Sequence, residues 1–209
     1  MSVDPFDAAQ DEMYEEIART LYPEHKAQAI DEFTAERLQS YYIANPFVMR
    51  PAVDAIQEGR SLHANGHHSA AQVFFVTAIE LLLKATLLKP VVHGLVHSEG
   101  LADVIVQQAL GQSGFERYSK LLAKLFIELA GININSVTRT NVSDSLLAEC
   151  TEQQKIRNLV IHQGTSATAE QAEIARLVSV AVYEQIVHPM LAHLGLKVVE
   201  RGEIVRCRA

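Results

Sequence analysis

One apolar segment, from about Ser69 to Leu88, limits the folds open to this chain more than any other feature. Apolar residues occupy most of the helical circumference of this segment, which predicts a buried central helix. Three polar residues, Gln72, Glu80 and Lys84, interrupt the run and argue against a membrane span. We therefore expect a helical protein built around this segment.

Two of these polar residues belong to a stripe. Thr77, Glu80 and Lys84 follow one another at spacings of three and four residues, so they share one helix face. A Glu–Lys pair four residues apart stabilises a helix even at the surface, and this is the simpler interpretation. The alternative is that the stripe faces a functional site on a neighbouring helix.

Hydrophobic periodicity and helix-breaking residues predict further helices along the chain. The expected helices cover about residues 1–22, 23–44, 51–65, 69–88, 98–109, 115–130, 144–163 and 168–194. Ser143 or Asp144 is expected to cap the helix that ends near Gly164. Lys89-Pro90 is expected to end the central helix, and Pro189 to kink or divide the last one. Two Val/Ile-rich runs around Arg201-Gly202 predict a small hairpin tail.

Composition limits the class of protein. A net charge of −7 argues against a broadly basic nucleic-acid surface, although a concentrated basic patch, such as two subunits would form, stays compatible with it. Two cysteines are too few for a disulfide framework, and the first residues do not resemble a signal peptide. These features favour a cytoplasmic protein without a membrane segment.

The stretch Gln154–Gly164 predicts the end of a helix that carries an anion site. Gly164 suits a left-handed cap, which places His162 in the last turn, where the helix dipole favours its cationic form. Asn158 lies four residues before His162 and shares its face, and the long side chain of Arg157 can reach the same place. An arginine, an amide and a histidine together suit phosphate. Apolar residues on the same stretch are Ile156, Leu159, Val160 and Ile161.

Two motifs carry a resemblance to the HEPN family of small helical domains. Arg157-Asn158, followed after three intervening residues by His162, resembles the family's Arg…His signature. Glu80-Leu-Leu-Leu-Lys84-Ala, followed by His97 and Leu101, is similar to the first half of many HEPN domains. The resemblance covers roughly 69–194 and implies an all-α, antiparallel helical bundle. It divides the chain into an N-terminal helical extension (1–66), a HEPN-like domain (67–196) and a C-terminal tail (197–209).

The HEPN resemblance implies a metal-independent endoribonuclease that needs no cofactor. It implies that Arg157 clamps the phosphate, His162 acts as acid or base, and Asn158 orients the site. Glu80 would position Arg157 or His162 from the facing helix, and Lys84, on the same stripe, would support the substrate. The resemblance further implies RNA as substrate, 2′,3′-cyclic phosphate ends, a homodimer formed through the Arg157/His162 face, and toxin or anti-phage biology with a possible regulatory protein partner.

One departure and two alternatives accompany this hypothesis. HEPN toxins that pair with a nucleotidyltransferase antitoxin often carry Tyr two residues after the His, where this chain has Gly164, so that type of modification is not expected. A first alternative is a non-catalytic HEPN-like module that binds a protein partner or a nucleotide. A second is a helical scaffold in which Arg157 and His162 are only structural.

The remaining histidines do not predict a metal site. His63, His67 and His68 form one group and His93 and His97 another, but glycines at 66 and 94 interrupt the helical spacing that zinc ligands need. Surface or loop positions are the expected role of these side chains.

Overall fold

The computed structural model describes residues 13–16, 19, 32–96, 98–110, 120, 122–124, 126–127 and 131–207. The first elements are helices α1 (32–44), α2 (Arg50–Ala64) and α3 (His68–Leu81), a π-helical segment (Leu82–Leu88), and helices α4 (Lys89–Leu95) and α5 (Glu99–Leu110). They are followed by a 3₁₀ turn (Ile134–Ser136), helices α6 (Leu146–Gln163) and α7 (Ala169–Val182), a second π-helical segment (Tyr183–Val187) and helix α8 (His188–His193). The chain ends in strands β1 (Leu196–Val198) and β2 (Ile204–Arg206), with a 3₁₀ turn (Glu200–Gly202) between them. The prediction of an all-α fold with a hairpin tail is confirmed.

Some predicted elements fall wholly or partly outside the described residues. Within the predicted helices 1–22 and 115–130, the described residues 13–16, 19, 120, 122–124 and 126–127 are helical. The start of the predicted helix 23–44 and the turn between Gly111 and Gly114 lie outside the described part of the chain.

The central helix is the core element, as its composition predicts. Phe75, Leu83 and Leu87 are completely or almost completely buried along it. Among the described residues, His68–Gly94 is long and apolar enough to cross a membrane, but 61% of its most apolar stretch is buried inside the protein. Such burial is typical of the core helix of a globular domain.

The prediction that Lys89-Pro90 ends the central helix is wrong, because α4 continues it. Proline normally breaks a helix by removing one N–H group and by clashing with the carbonyl four residues earlier. Here the π segment widens the preceding turn, and the Lys89 N–H bonds to the Lys84 carbonyl five residues back. The Thr86 carbonyl, four residues before Pro90, instead accepts a hydrogen bond from the Tyr42 hydroxyl at 2.5 Å. A side chain from α1 thus replaces the bond that proline cannot make.

The helix that carries the Arg…His motif, α6, has well-defined ends. Its N-cap is Ser145, whose hydroxyl accepts a hydrogen bond from the Ala148 N–H at 3.3 Å, so the prediction of Ser143 or Asp144 is wrong by one or two residues. The reason is a β-bridge between Thr138 and Ser145, which keeps the chain extended up to that point. At the other end Gly164 adopts φ 67°, which confirms the predicted left-handed cap.

The two halves of α6 differ in burial. In its first half Leu146, Leu147 and Cys150 are buried. In its last turns Leu159 and Ile161 keep 43% and 49% of their surface exposed. The apolar side predicted for this stretch is therefore only partly covered, because Ile156 and Val160 are half-buried.

The last helices and the tail follow their sequence signals closely. Thr168 and Gln171 form a capping box, with hydrogen bonds of 2.9 and 3.1 Å between each side chain and the other residue's N–H. A π segment then divides the helix ahead of Pro189. The antiparallel strands β1 and β2 pair Lys197 with Val205.

The hydrophobic core draws on all three segments into which the chain was divided. Buried residues in one continuous cluster include Leu38 and Tyr42 before residue 66, the central helix, and Ile204 in the tail. The Ile204 N–H donates to the Pro46 carbonyl at 2.8 Å and ties the hairpin to the turn before α2. The division into 1–66, 67–196 and 197–209 stays a prediction about the organisation of the chain.

Candidate functional site

Helices α3 and α6 lie side by side and share a buried polar contact. Gln72 and Gln153 are 0% and 4% exposed, and the Gln72 Nε2 donates to Gln153 Oε1 at 3.0 Å. A buried amide must find a partner, so this pair stabilises one register of the two helices. That register places the second half of α3 opposite the motif end of α6.

Glu80 lies at the centre of the facing surfaces. Its Oε1 accepts hydrogen bonds from Gln154 Nε2 at 2.8 Å and from Arg157 Nη2, with which it also forms an ion pair. The Glu80 and Arg157 side chains are only 24% and 20% exposed, so the pair is mostly shielded from water. Of the three residues in the polar stripe, Glu80 therefore contacts the helix that carries the Arg…His motif.

The guanidinium of Arg157 is only partly used by this contact. Its Nη2 is bound to Glu80, whereas Nε is buried and has no hydrogen-bond partner among the described residues. Fixing Nη2 orients the planar group, and Nη1 makes no recorded hydrogen bond in the described part of the chain, so it is the donor left for a further acceptor. An oxyanion is the acceptor that a guanidinium fork matches best.

His162 and Asn158 occupy the open end of the site. Both side chains are exposed, and His162 is in the last turn of α6, two residues before Gly164. In the described part of the chain His162 makes no hydrogen bond or ion pair, so its ring is accessible to a ligand. The structure thus pairs Arg157 with Glu80, but it records no hydrogen bond from His162 to either residue.

Lys84 lies one helical turn after Glu80, in the π segment, with a half-buried side chain. Its backbone carbonyl accepts the Lys89 N–H that closes the π turn. The structure gives Lys84 this backbone role, and its predicted support of a substrate stays a prediction.

Gln154 is the member of the site that the sequence analysis did not identify. It lies three residues before Arg157, and that spacing puts both side chains on one helix face. The signal in the sequence that could have identified Gln154 is the spacing of two hydrogen-bond donors, Gln154 and Arg157, opposite the single carboxylate of Glu80. The amide helps to fix Glu80, which in turn fixes Arg157.

Other reactive side chains lie apart from this site. The Cys150 thiol is buried, and burial raises its pKa well above the usual range, so it stays protonated and is a poor nucleophile. His63 and His68 approach each other at 3.2 Å between their Nδ1 atoms, and His63 Nε2 is 3.7 Å from Glu173. Among the described residues, no group of three or more His, Cys, Asp or Glu side chains is arranged to hold a metal ion.

Comparisons with protein-family models, with curated proteins and with solved structures find no match to this chain. What the site can do therefore has to be argued from its residues and their arrangement.

Proposed function

We propose that this protein is a metal-independent endoribonuclease of the HEPN type. The observation that supports this proposal best is the Glu80–Arg157 pair, which holds a guanidinium at the end of α6 with unused donors, one turn before an accessible histidine. Phosphate binding by arginine and proton transfer by histidine are what RNA cleavage without a metal requires. Cytoplasmic localisation and a role as a toxin or anti-phage effector belong to the same proposal.

The proposed reaction uses the RNA's own 2′-hydroxyl as nucleophile. The 2′ oxygen attacks the adjacent phosphorus while its proton passes to a base, for which His162 is the candidate. The bond from phosphorus to the 5′ oxygen breaks, and that oxygen takes up a proton. The products are a 2′,3′-cyclic phosphate and a 5′-hydroxyl. Arg157 binds the phosphate oxygens as their charge increases, and Asn158 orients the phosphate.

A second copy of the chain completes this proposal. One Arg157 and one His162 supply a single clamp and a single proton carrier, whereas the reaction needs both an acid and a base. Leu159 and Ile161, which lie between Arg157 and His162, expose apolar surface that a partner surface can cover. We therefore infer a homodimer through the Arg157/His162 face. A regulatory protein partner is part of the proposal only because the HEPN resemblance implies one.

The test is RNA cleavage in EDTA by the wild type and by His162→Ala. Loss of a general acid or base typically lowers the rate by about 100-fold or more, and we expect at least that loss. Wild-type products should carry 2′,3′-cyclic phosphate ends, detected by their resistance to ligation and by mass spectrometry.

His193→Ala is the matched control for this experiment. His193 is also exposed in the last turn of a helix and also lies two residues before a glycine with positive φ, Gly195. It lies outside the proposed site, so its removal should leave cleavage unchanged. Equal activity of the wild type and His162→Ala, or cleavage that stops in EDTA, would contradict the proposal.

A second candidate function is a non-catalytic module that binds a protein partner. The exposed Leu159 and Ile161 favour it as well, because apolar side chains beside an anchored arginine form a suitable docking surface. Leu159→Ser distinguishes the two functions. It should abolish partner binding under either function, but a loss of RNA cleavage together with partner binding is expected only if the protein is a nuclease.

A further inference from the structure

A cleft on the side of the protein formed by α2, the second π segment and the hairpin turn is independent of the proposed ribonuclease site. It encloses a cavity of about 370 Å³, whose lining includes Met49, Val53 and Leu82. Tyr183 and Val198 also belong to the apolar part of the lining. This volume is within the range of small-molecule sites, and an apolar lining favours an apolar ligand group.

A second, polar cavity of about 420 Å³ adjoins the first. Its lining consists of Arg50, Asp54, Gln57 and Arg201. Gln57 and Arg201 also line the apolar cavity, so these two side chains mark the boundary between the cavities. The two cavities together offer a polar compartment and an apolar compartment to one ligand.

Arginine side chains give this cleft a local positive charge on a chain of net charge −7. Arg50 and Arg201 line the polar cavity, and Arg60 joins Arg201 at the apolar one. Within the described part of the chain none of the three forms an ion pair, and Arg50 packs over the Phe47 ring at 4.6 Å. Unpaired guanidinium groups around one cleft attract an anion.

The backbone that presents Arg201 is in an unusual conformation. Arg201 has φ 58°, a left-handed value that side chains other than Gly, Asn and Asp rarely adopt. Gly202 follows with φ 76°, and a Cβ at this position would lie 2.8 Å from Val53 Cγ2, so the turn packs tightly on α2. A strained residue that persists at the edge of a cavity suggests a role for its side chain.

We propose that the two cavities form a binding site for a small amphipathic carboxylate. The carboxylate binds Arg201, with Arg50 and Arg60 beside it, and the apolar body of the ligand fills the cavity above Met49. Asp54 and Glu184 also line the cleft, so its three arginines exceed its carboxylates by one and the net positive charge of the cleft is small. A singly charged carboxylate fits that balance better than a doubly charged phosphate.

The experiment is a titration of the full chain with decanoate, below the concentration at which it forms micelles, followed by calorimetry and by NMR shifts of the Val53 and Val198 methyl groups. Decanol has the same alkyl chain without the charge, so it should bind at least tenfold more weakly than decanoate. Shifts at these methyl groups show that the ligand is in the cleft.

Arg201→Gly is the most informative variant. Glycine adopts a φ of 58° without strain, so the variant should melt no lower than the wild type. It nevertheless removes the proposed ligand of the carboxylate, and we expect decanoate affinity to fall at least tenfold. Arg60→Gln is the second variant and should weaken decanoate binding without changing the hairpin backbone.

Arg206→Gln is the matched control, because it removes the same charge from the same hairpin, on an exposed side chain outside both cavities. Its decanoate affinity should equal that of the wild type. The proposal is overturned if decanoate does not bind, if decanol binds equally well, if Arg201→Gly keeps wild-type affinity at wild-type melting temperature, or if Arg206→Gln weakens binding as much as Arg201→Gly does.

Discussion

Glu80 accepts two hydrogen bonds from the neighbouring helix, one from Gln154 and one from Arg157. The stripe that it forms with Thr77 and Lys84 placed it on one helix face, and the sequence left open whether that face meets the motif or is a surface Glu–Lys pair. Which atom it binds could not be predicted, because that depends on the register of α3 against α6. The register in turn depends on the buried Gln72–Gln153 contact.

At the residue scale we predict that Glu80→Gln destabilises the protein. The change removes the negative charge while Arg157 stays mostly buried, so the free energy of unfolding should fall by about 1.5–3 kcal/mol, as for hydrogen bonds to charged groups. Urea unfolding measures this difference.

Glu152→Gln is the control for that prediction. Glu152 also pairs with a cation, Lys155, at 3.3 Å, but both side chains are at least 60% exposed. Such surface pairs contribute little, so the change should cost less than about 0.5 kcal/mol. Equal effects of the two substitutions would show that the Glu80–Arg157 pair has no special role in stability.

At the scale of the helices, the ends marked by local motifs at Gly164 and Thr168 are predicted correctly, whereas the end predicted from Pro90 is wrong. Gly164 and Thr168 mark the boundary between α6 and α7 through local chemistry, a left-handed cap and a capping box. Pro90 was predicted to end a helix and does not, because the Tyr42 hydroxyl binds the carbonyl that proline leaves free. That bond joins residues 44 positions apart, and no local pattern predicts it.

We predict that Thr168→Ala lowers the free energy of unfolding by about 1 kcal/mol, because the Gln171 N–H at the start of α7 loses its acceptor. Thermal unfolding followed by circular dichroism is the measurement. Thr165→Ala, at an exposed position of the same connection, should leave the stability unchanged. If both variants are as stable as the wild type, the capping box contributes nothing to the stability of α7.

At the scale of the whole molecule, the hairpin is part of the core rather than an appendage. The Val/Ile-rich runs around Arg201-Gly202 were enough to predict a hairpin, because strands of this composition with a turn between them are a local signal. Its docking against α2 was not predicted, since it follows from the close approach of Gly202 to Val53 and from the bond to Pro46. If this packing joins the hairpin to the rest of the core, the buried residues of the tail and of α1 should unfold in the same transition.

We therefore predict that Ile204→Ala destabilises the entire chain in a single transition. Ile204 is 1% exposed, and truncation of such a side chain costs about 2–5 kcal/mol. Tyrosine fluorescence and circular dichroism should report the same midpoint, which is the test of a two-state transition. Val199→Ala, at a side chain 38% exposed, should change the stability by less than about 0.5 kcal/mol. Separate midpoints would show that the tail unfolds independently.

The two π segments also have an evolutionary consequence. Each is followed at its second residue by a proline, Pro90 or Pro189, and each closes with a backbone bond that spans five residues instead of four. A homologue with a continuous α-helix would be shorter by one residue at each place. Insertions and deletions in this lineage are therefore expected inside helices, at 82–88 and 183–187, and an alignment that allows gaps only in loops would shift every later residue by one position.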